Sequence, residues 1–305
     1  MLQFLLRRLP SAVPVVLGVT LLAFSMSHLT PGDPVRIMLG ERATAEDIAR
    51  LRAQLGLDRP LPEQYLRYIS RVVVGDLGTS IRSGQPVARE IGDRIGSTAV
   101  LTGAAMLVAM VLGVGLGLLA AVSRSPGLET LVMSFALLGI SMPTFWSGLL
   151  FIMLFSLALE WLPVTGTGLS GLVLPAVTLA LPAAAVLARM TRSALLEVLG
   201  QDYVKTAQSK GLRPRMVVVK HALRNAFIPI LTIVGLQFGG LMAGSVIVES
   251  VFARPGLGRF AVNAILARDF PQIQGIVLVA GLIYVVVNLV VDLLYGVLDP
   301  RIQVS

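Results

Sequence analysis

The sequence predicts an all-α, polytopic membrane protein with six spans, and three observations carry that prediction. The 305 residues are 55% hydrophobic and only 14% charged, with a mean hydropathy of +0.82, whereas a soluble domain is nearer a quarter charged. Apolar runs recur at about the 20-residue length that crosses a hydrocarbon core. The net charge of +8 is gathered into a few places instead of being spread along the chain. Cysteine is absent, which excludes a disulfide framework and a thiolate metal site. No heptad pattern, low-complexity tract or 20–50-residue repeat is present.

The six spans read as about Leu9–Leu29, Thr98–Val122, a third within Leu131–Leu162, Leu172–Ala188, Phe227–Val248 and Ile273–Leu294. The first has a basic start and an apolar run, like a signal peptide, but it is long enough to cross and its small-residue cleavage pattern is weak. It is expected to be an uncleaved helix. The third is too long for one straight span, and Pro143 in "GISMPTFW" should break or kink it. Charge decides between one kinked span and a hairpin of two. Arg7–Arg8 and the basic stretch after the fourth span should both be cytoplasmic. That requires an even number of crossings between them, so one kinked span is expected, with both chain termini inside.

Thr30–Ser97 is then extracytoplasmic, and its ten arginines nearly balance nine acids. "TAEDIARLRAQLG" reads as a helix with Thr44 as N-cap, Asp47 at the third position and Gly56 as stop. "LPEQYLRYISRVVVG" follows, with Pro62 at a helix start. A third helix from Pro86 is expected to lead into the second span through Val87, Ile91 and Ile95. Two readings stay open for this region: a helical cap on the outer mouth, which is preferred, and a docking surface for an external partner.

The charge concentrates in "YVKTAQSKGLRPRMVVVKHALRNAFIPI", Tyr203–Ile230, which holds six cations, no acid and all three lysines of the protein. Asp202 is expected to cap a short helix, Gly211 to end it and Pro214 to start a second running to about Asn225. Three uses of this stretch compete. It can obey the positive-inside rule and touch anionic headgroups. It can mimic a helix-turn-helix, but spans close on both sides would keep a recognition helix out of a major groove, so nucleic acid is not expected. It can dock a cytoplasmic protein, with small Ala207 and Gly211 permitting close approach.

The third use is the one that matches a known family. The stretch resembles the cytoplasmic loop of the type-1 permease subunits of ATP-binding-cassette importers. Of that loop's general pattern only Ala207, Gly211 and Leu223 match literally. "YVKTAQSKGL" and "KHALRNAFIPI" are similar to the form found in the dipeptide/oligopeptide/nickel permeases, B-type subunit. So are "LTPGDP", "LGLDRPLPEQYLRY", "GDLGTSIRSGQPV", "SMPTFW", "ESVFARPGLGR" and "NLVVDLLYGVLDPRI". These blocks cover nearly the whole chain in register and specify the subfamily but not the substrate.

The resemblance implies a type-1 permease fold. Residues 1–94 would be the first span and a helical extracytoplasmic region, 95–298 the transmembrane domain with its cytoplasmic loop 189–226, and 299–305 a tail. It implies a partner C-type permease, two cytoplasmic ATP-binding subunits that carry ATP and Mg, and an extracytoplasmic substrate-binding protein. Lys205, Thr206, Ala207, Gln208, Ser209, Lys210 and Gly211 would be the coupling helix that enters an ATPase groove. Arg254, Pro255, Gly256, Leu257 and Arg259 are candidate contacts for the binding protein. The chain has no G-x-x-x-x-G-K-[ST] loop, so neither ATP binding by that route nor enzymatic activity is expected of it.

Other polar residues receive plainer readings. Tyr284, Asn288 and Asp292 fall on one face of the last span, where a helix-packing stripe is preferred to a pathway role. Glu160 and Glu249, near outer helix ends, could attract a peptide's amino terminus, but solvation at the interface is the preferred reading. His28 and His221 are far apart, so no metal site is expected. The glycines of "LGVGLGLLA" lack a preceding strand, and close helix packing is their natural role. An ion-coupled carrier working alone is the alternative from another class. It is opposed by the scarcity of mid-membrane ionisable residues.

Overall fold

The computed structural model describes residues 2–29, 34–39, 43–123, 125–166 and 168–298. Among these the architecture is helical, with one isolated bridge between Thr79 and Pro86. The helices are α1 (Leu2–Leu29), α2 (Pro34–Leu39), α3 (Ala45–Leu55), α4 (Leu61–Val73), α5 (Val87–Val122), α6 (Pro126–Ser141), α7 (Thr144–Phe151), α8 (Ser170–Leu199), α9 (Asp202–Ser209), α10 (Pro214–Met216), α11 (Leu223–Val251), α12 (Leu257–Leu266) and α13 (Phe270–Leu298). Internal contacts divide the chain into Met1–Gly96 with Arg259–Leu289, and Ser97–Gly258 with Val290–Ser305.

Among the described residues, four helical stretches are long and apolar enough to cross a membrane: Val87–Val122, Ser170–Leu199, Pro229–Val251 and Phe270–Val291. The expected third span is α6 and α7 with the π-helical turn Ile152–Ala158, bent by 108° at the break. This is far sharper than a kink. Pro143 has no N–H to donate and pushes Met142 to extended backbone (φ −80°, ψ 127°), so α6 ends there and α7 starts afresh at Thr144. Counting the pair once gives five spans among the described residues, and α1, a helix of 28 residues, enters that count only as Val13–Met26. Length and composition of the described residues therefore do not reach the expected six.

In the first unit, Thr44 caps α3 in a reciprocal box with Asp47, and Gly56 stops the helix in left-handed conformation (φ 67°). Hydrogen bonds from Thr44 hold the Asp47 carboxyl below its ordinary range. A buried polar knot fixes the next turn. Asp269 accepts from Ser80 Oγ (2.6 Å) and Arg82 N (3.1 Å) and caps α13 through Gln272 N (3.3 Å). Gln272 Nε2 in turn donates to Glu90 Oε2 (2.7 Å). The helix expected from Pro86 runs unbroken into the second span as α5.

In the second unit, α8 is the central element, buried along most of its length against one apolar cluster. Its neighbour α5 approaches through glycine. A Cβ on Gly113 would lie 2.5 Å from Leu187 Cβ, and one on Gly117 would lie 2.5 Å from the Ala188 carbonyl oxygen. The packing role expected of these glycines is therefore met by a G-x-x-x-G pair, while Gly115 faces open space. α8 also outruns its expected end at Ala188 by eleven residues, carrying Arg189, Arg192 and Glu197 past the apolar run. Arg192 there forms an ion pair with Glu129 of α6.

Candidate functional site: the basic loop and the outer glycine turn

After α8 ends at Gly200, Gln201 takes extended backbone (φ −76°, ψ 150°) and α9 begins. Asp202 is the first residue of α9 and not its cap; its carboxyl accepts from Lys205 Nζ (2.9 Å) on the exposed side. An acid in the first helical turn interacts favourably with the helix dipole without capping. Gly211 then turns the chain at φ 77°, a conformation that costs a residue with a Cβ about 1–2 kcal/mol. The expected glycine stop is therefore present.

The second short helix does not stand alone. Pro214 starts α10, which passes through a π-helical turn, Val217–Ala222, directly into α11. The expected break near Asn225 is absent because no proline or glycine interrupts 215–226, and Pro229 sits inside the continuous helix.

The loop is two-faced. Val204 and Ala207 of α9 are buried in the same apolar cluster as Leu195 and Val198 of α8, Val217 and Ala222 of the π turn, and Ala226 of α11. Asn225 Nδ2 donates to Tyr203 Oη (2.6 Å), tying α9 to α11 again. Lys205, Thr206, Gln208, Ser209, Lys210 and Gly211 are exposed. The small side chain of Ala207 packs within this chain, in that cluster. Gly211 is exposed, and a Cβ there would meet nothing within 4 Å, so its glycine answers to backbone conformation.

The second candidate region is a turn after α11. Glu249 was expected to be solvated; it is fully buried. Thr98 Oγ1 donates to Glu249 Oε1 (2.6 Å), and the Gly258 amide donates to Oε2 (2.8 Å). The Leu257 amide donates to Thr98 Oγ1 (2.8 Å), closing the knot. A Cβ on Gly256 would lie 2.1 Å from Glu249 Oε1, so the glycines of "PGLG" make room for the carboxyl. Arg254 is also buried, donating through Nη1 to the Gly171 carbonyl (3.2 Å). Of the candidate contacts for a binding protein, Arg254, Gly256 and Leu257 are thus inside, Pro255 is exposed and Arg259 half-buried.

Sequence reasoning missed this knot because helix-end position alone suggests solvent. The paired glycines two apart, close after an acid, were the available signal. Glu249→Ala should lower thermal stability by about 1–3 kcal/mol for each donor left unsatisfied, read as a fall in the unfolding midpoint of the purified protein. Glu160, by contrast, is exposed in a left-handed turn (φ 54°). Asn288 is half-buried on α13; the Asp292 side chain, Asp299 and Arg301 lie outside the described residues.

The arrangement is a packed platform: an exposed basic edge fastened to the ends of two long apolar helices. A model of the "binding-protein-dependent transport system inner membrane component" family matches residues 113–304, and the N-terminal model of the same system matches 1–102. The dipeptide transport system permease protein DppB of Escherichia coli K12 is 44% identical, over 99% of this chain and 99% of its own length. The glutathione transport system permease protein GsiC of Salmonella paratyphi A is 46% identical over the same shares. An inward-facing structure of the MetNI methionine ABC transporter shares the fold at 19% identity, with a TM-score of 0.60 over 68% of this chain and 96% of that one. The chain belongs to the binding-protein-dependent transport system inner membrane component family, as a multi-pass permease subunit of an ABC importer.

Proposed function

We propose that this chain, paired with a homologous C-type permease, forms the path by which di- and oligopeptides enter across the cytoplasmic membrane, with both termini inside. Two ATP-binding subunits would sit beneath it, and an extracytoplasmic binding protein would deliver the load. The observation that carries this reading is the full-length identity to a dipeptide permease, joined to the exposed edge of α9.

The platform suggests how force enters the membrane. Residues Lys205 to Gly211 form the coupling edge. A displacement of α9 moves α8 and α11 together, because Val204 and Ala207 share one packed cluster with both. Such interiors resist small deformations and pass strain on. ATP binding and hydrolysis in the partner subunits supply the free-energy difference between inward- and outward-facing states, which a ligand of equal affinity for both could not supply.

The comparably high identity to a glutathione permease favours glutathione, itself a tripeptide, as the second reading. Proteoliposomes holding this chain, its partner permease, both ATP-binding subunits and the binding protein should take up labelled dipeptide only with ATP. ATP-dependent uptake of labelled glutathione but not of labelled dipeptide by the same vesicles would favour the second substrate. Uptake by this chain alone under an ion gradient would overturn the proposal.

A further inference from the structure

Helix α4 of the extracytoplasmic region has an apolar side that its own unit covers only in part. At about 100° per residue, Tyr68, Leu61, Val72, Tyr65, Ile69, Val73 and Leu66 fall in one continuous arc of roughly 160°. Glu63, Arg67, Ser70 and Arg71 occupy the opposite side. No residue of α4 is fully buried. Leu66 is 67% exposed and Val73 is 79% exposed.

The depth of α4 follows from what it touches. Tyr65 Oη shares a hydrogen bond with Thr20 Oγ1 of α1 (2.8 Å). Phe24 meets the rings of Tyr65 and Tyr68 at 5.4 and 6.0 Å, and His28 Nε2 hydrogen-bonds Gln64 Oε1 (3.1 Å). Next to Thr20, Val19 lies against Gly281, where a Cβ would come within 2.5 Å of its Cγ1. Gly281 lies in the middle third of α13, Phe270–Leu298. Thr20 is therefore near the bilayer centre, and Phe24 and His28 lie about 6 and 12 Å further out at 1.5 Å per residue. Half of a ~30 Å hydrocarbon core is about 15 Å. A helix joined to all three residues sits at the level of one leaflet, not above it.

We propose that α4 is an interfacial helix seated in the outer leaflet, with the Leu66–Val73 arc against acyl chains and Arg67 and Arg71 toward the headgroups. Lipid is the occupant because the bare arc is continuous, through Thr20 and Phe24, with a helix packed at mid-membrane depth. The polar side also suits the boundary: Glu63 pairs with Arg59 and Arg67 (3.5 Å), and Arg71 pairs with Asp76 (2.8 Å). Arginine stems can lie along apolar surface while their heads reach phosphate. Beyond the importer reading, on which its membrane setting rests, this makes the extracytoplasmic region partly a membrane element.

The absence of cysteine makes the test direct. Single variants Leu66→Cys, Val73→Cys and, on the polar side, Ser70→Cys of the full chain are labelled with bimane. They are then assembled with the partner subunits in nanodiscs. Lipid brominated in its acyl chains should quench the labels at 66 and 73 roughly twofold or more above that at 70, and aqueous iodide should show the reverse order. Equal iodide quenching at all three positions would place the arc in water and overturn the proposal. Protection of 66 and 73 from both quenchers would place a protein there and overturn it too. ATP-dependent uptake by the same variants in proteoliposomes is read separately, so loss of the lipid contact and loss of the importer reading are distinct results.

Discussion

Gly117→Val is expected to remove nearly all folded protein from detergent extracts, while Gly115→Val, two residues away, leaves the yield close to that of the parent. The difference is geometric. A Cβ on Gly117 would meet the Ala188 carbonyl oxygen at 2.5 Å and Thr191 Cβ at 2.6 Å, whereas one on Gly115 would meet nothing within 4 Å. The first obstacle is backbone, which cannot rotate aside as a side chain can. Overpacked cores lose about 1–3 kcal/mol when neighbours can shift, and here α5 and α8 would have to separate along the buried length of α8. Gly113→Val should behave like Gly117→Val, since its Cβ would fall 2.7 Å from the Ala184 carbonyl oxygen. The measurement is the monodisperse fraction and unfolding midpoint of the three variants side by side. Equal yields would show that the α5–α8 contact does not hold the unit together.

Gly211→Leu is expected to leave insertion and assembly intact while transport falls roughly tenfold, and Gly211→Asn is expected to keep most of the transport. The residue holds φ 77° at an exposed turn with free space around it. Leucine therefore pays in backbone strain of about 1–2 kcal/mol, which asparagine largely escapes by tolerating left-handed conformation. About 1.4 kcal/mol placed on a single step is a tenfold change in its rate. The chain can relieve that strain by swinging α9, which displaces the exposed edge from Lys205 to Lys210 relative to whatever grips it. ATP-dependent uptake and substrate-stimulated ATP hydrolysis in the reconstituted importer separate the outcomes. Full activity of Gly211→Leu would remove the turn from the coupling path. Equal loss in both variants would place the requirement in contact and not in backbone.

The elements that the sequence announced were those with local causes. Thr44 and Asp47 cap α3, Gly56 and Gly211 turn left-handed, and Pro143 ends α6, because each effect depends on a few adjacent residues. The exposed basic edge was legible for a related reason: basic residues in a greasy chain, bounded by a glycine and a proline, stand out by composition. Elements with distant causes were not legible. Ala207 looked like a surface residue until the fold placed it beside Leu195 and Val217. The angle at Pro143 was hidden because a proline fixes where a helix stops but not where the next one points; at 108° that direction is set by what α6 and α7 pack against.

The sequence by itself determined that this protein is helical, lives in a membrane and presents one basic loop, since hydropathy, charge placement and turn residues act over short range. Only the tertiary structure decided which polar residues are interior. Glu249 and Asp269 carry the same local signature as any solvated helix-end acid. Their burial depends on donors far away in the chain, Thr98 for one, joined by the nearer Gly258, and Ser80 and Arg82 for the other. A buried carboxyl is tolerable only where such donors converge, and convergence is a property of the folded chain.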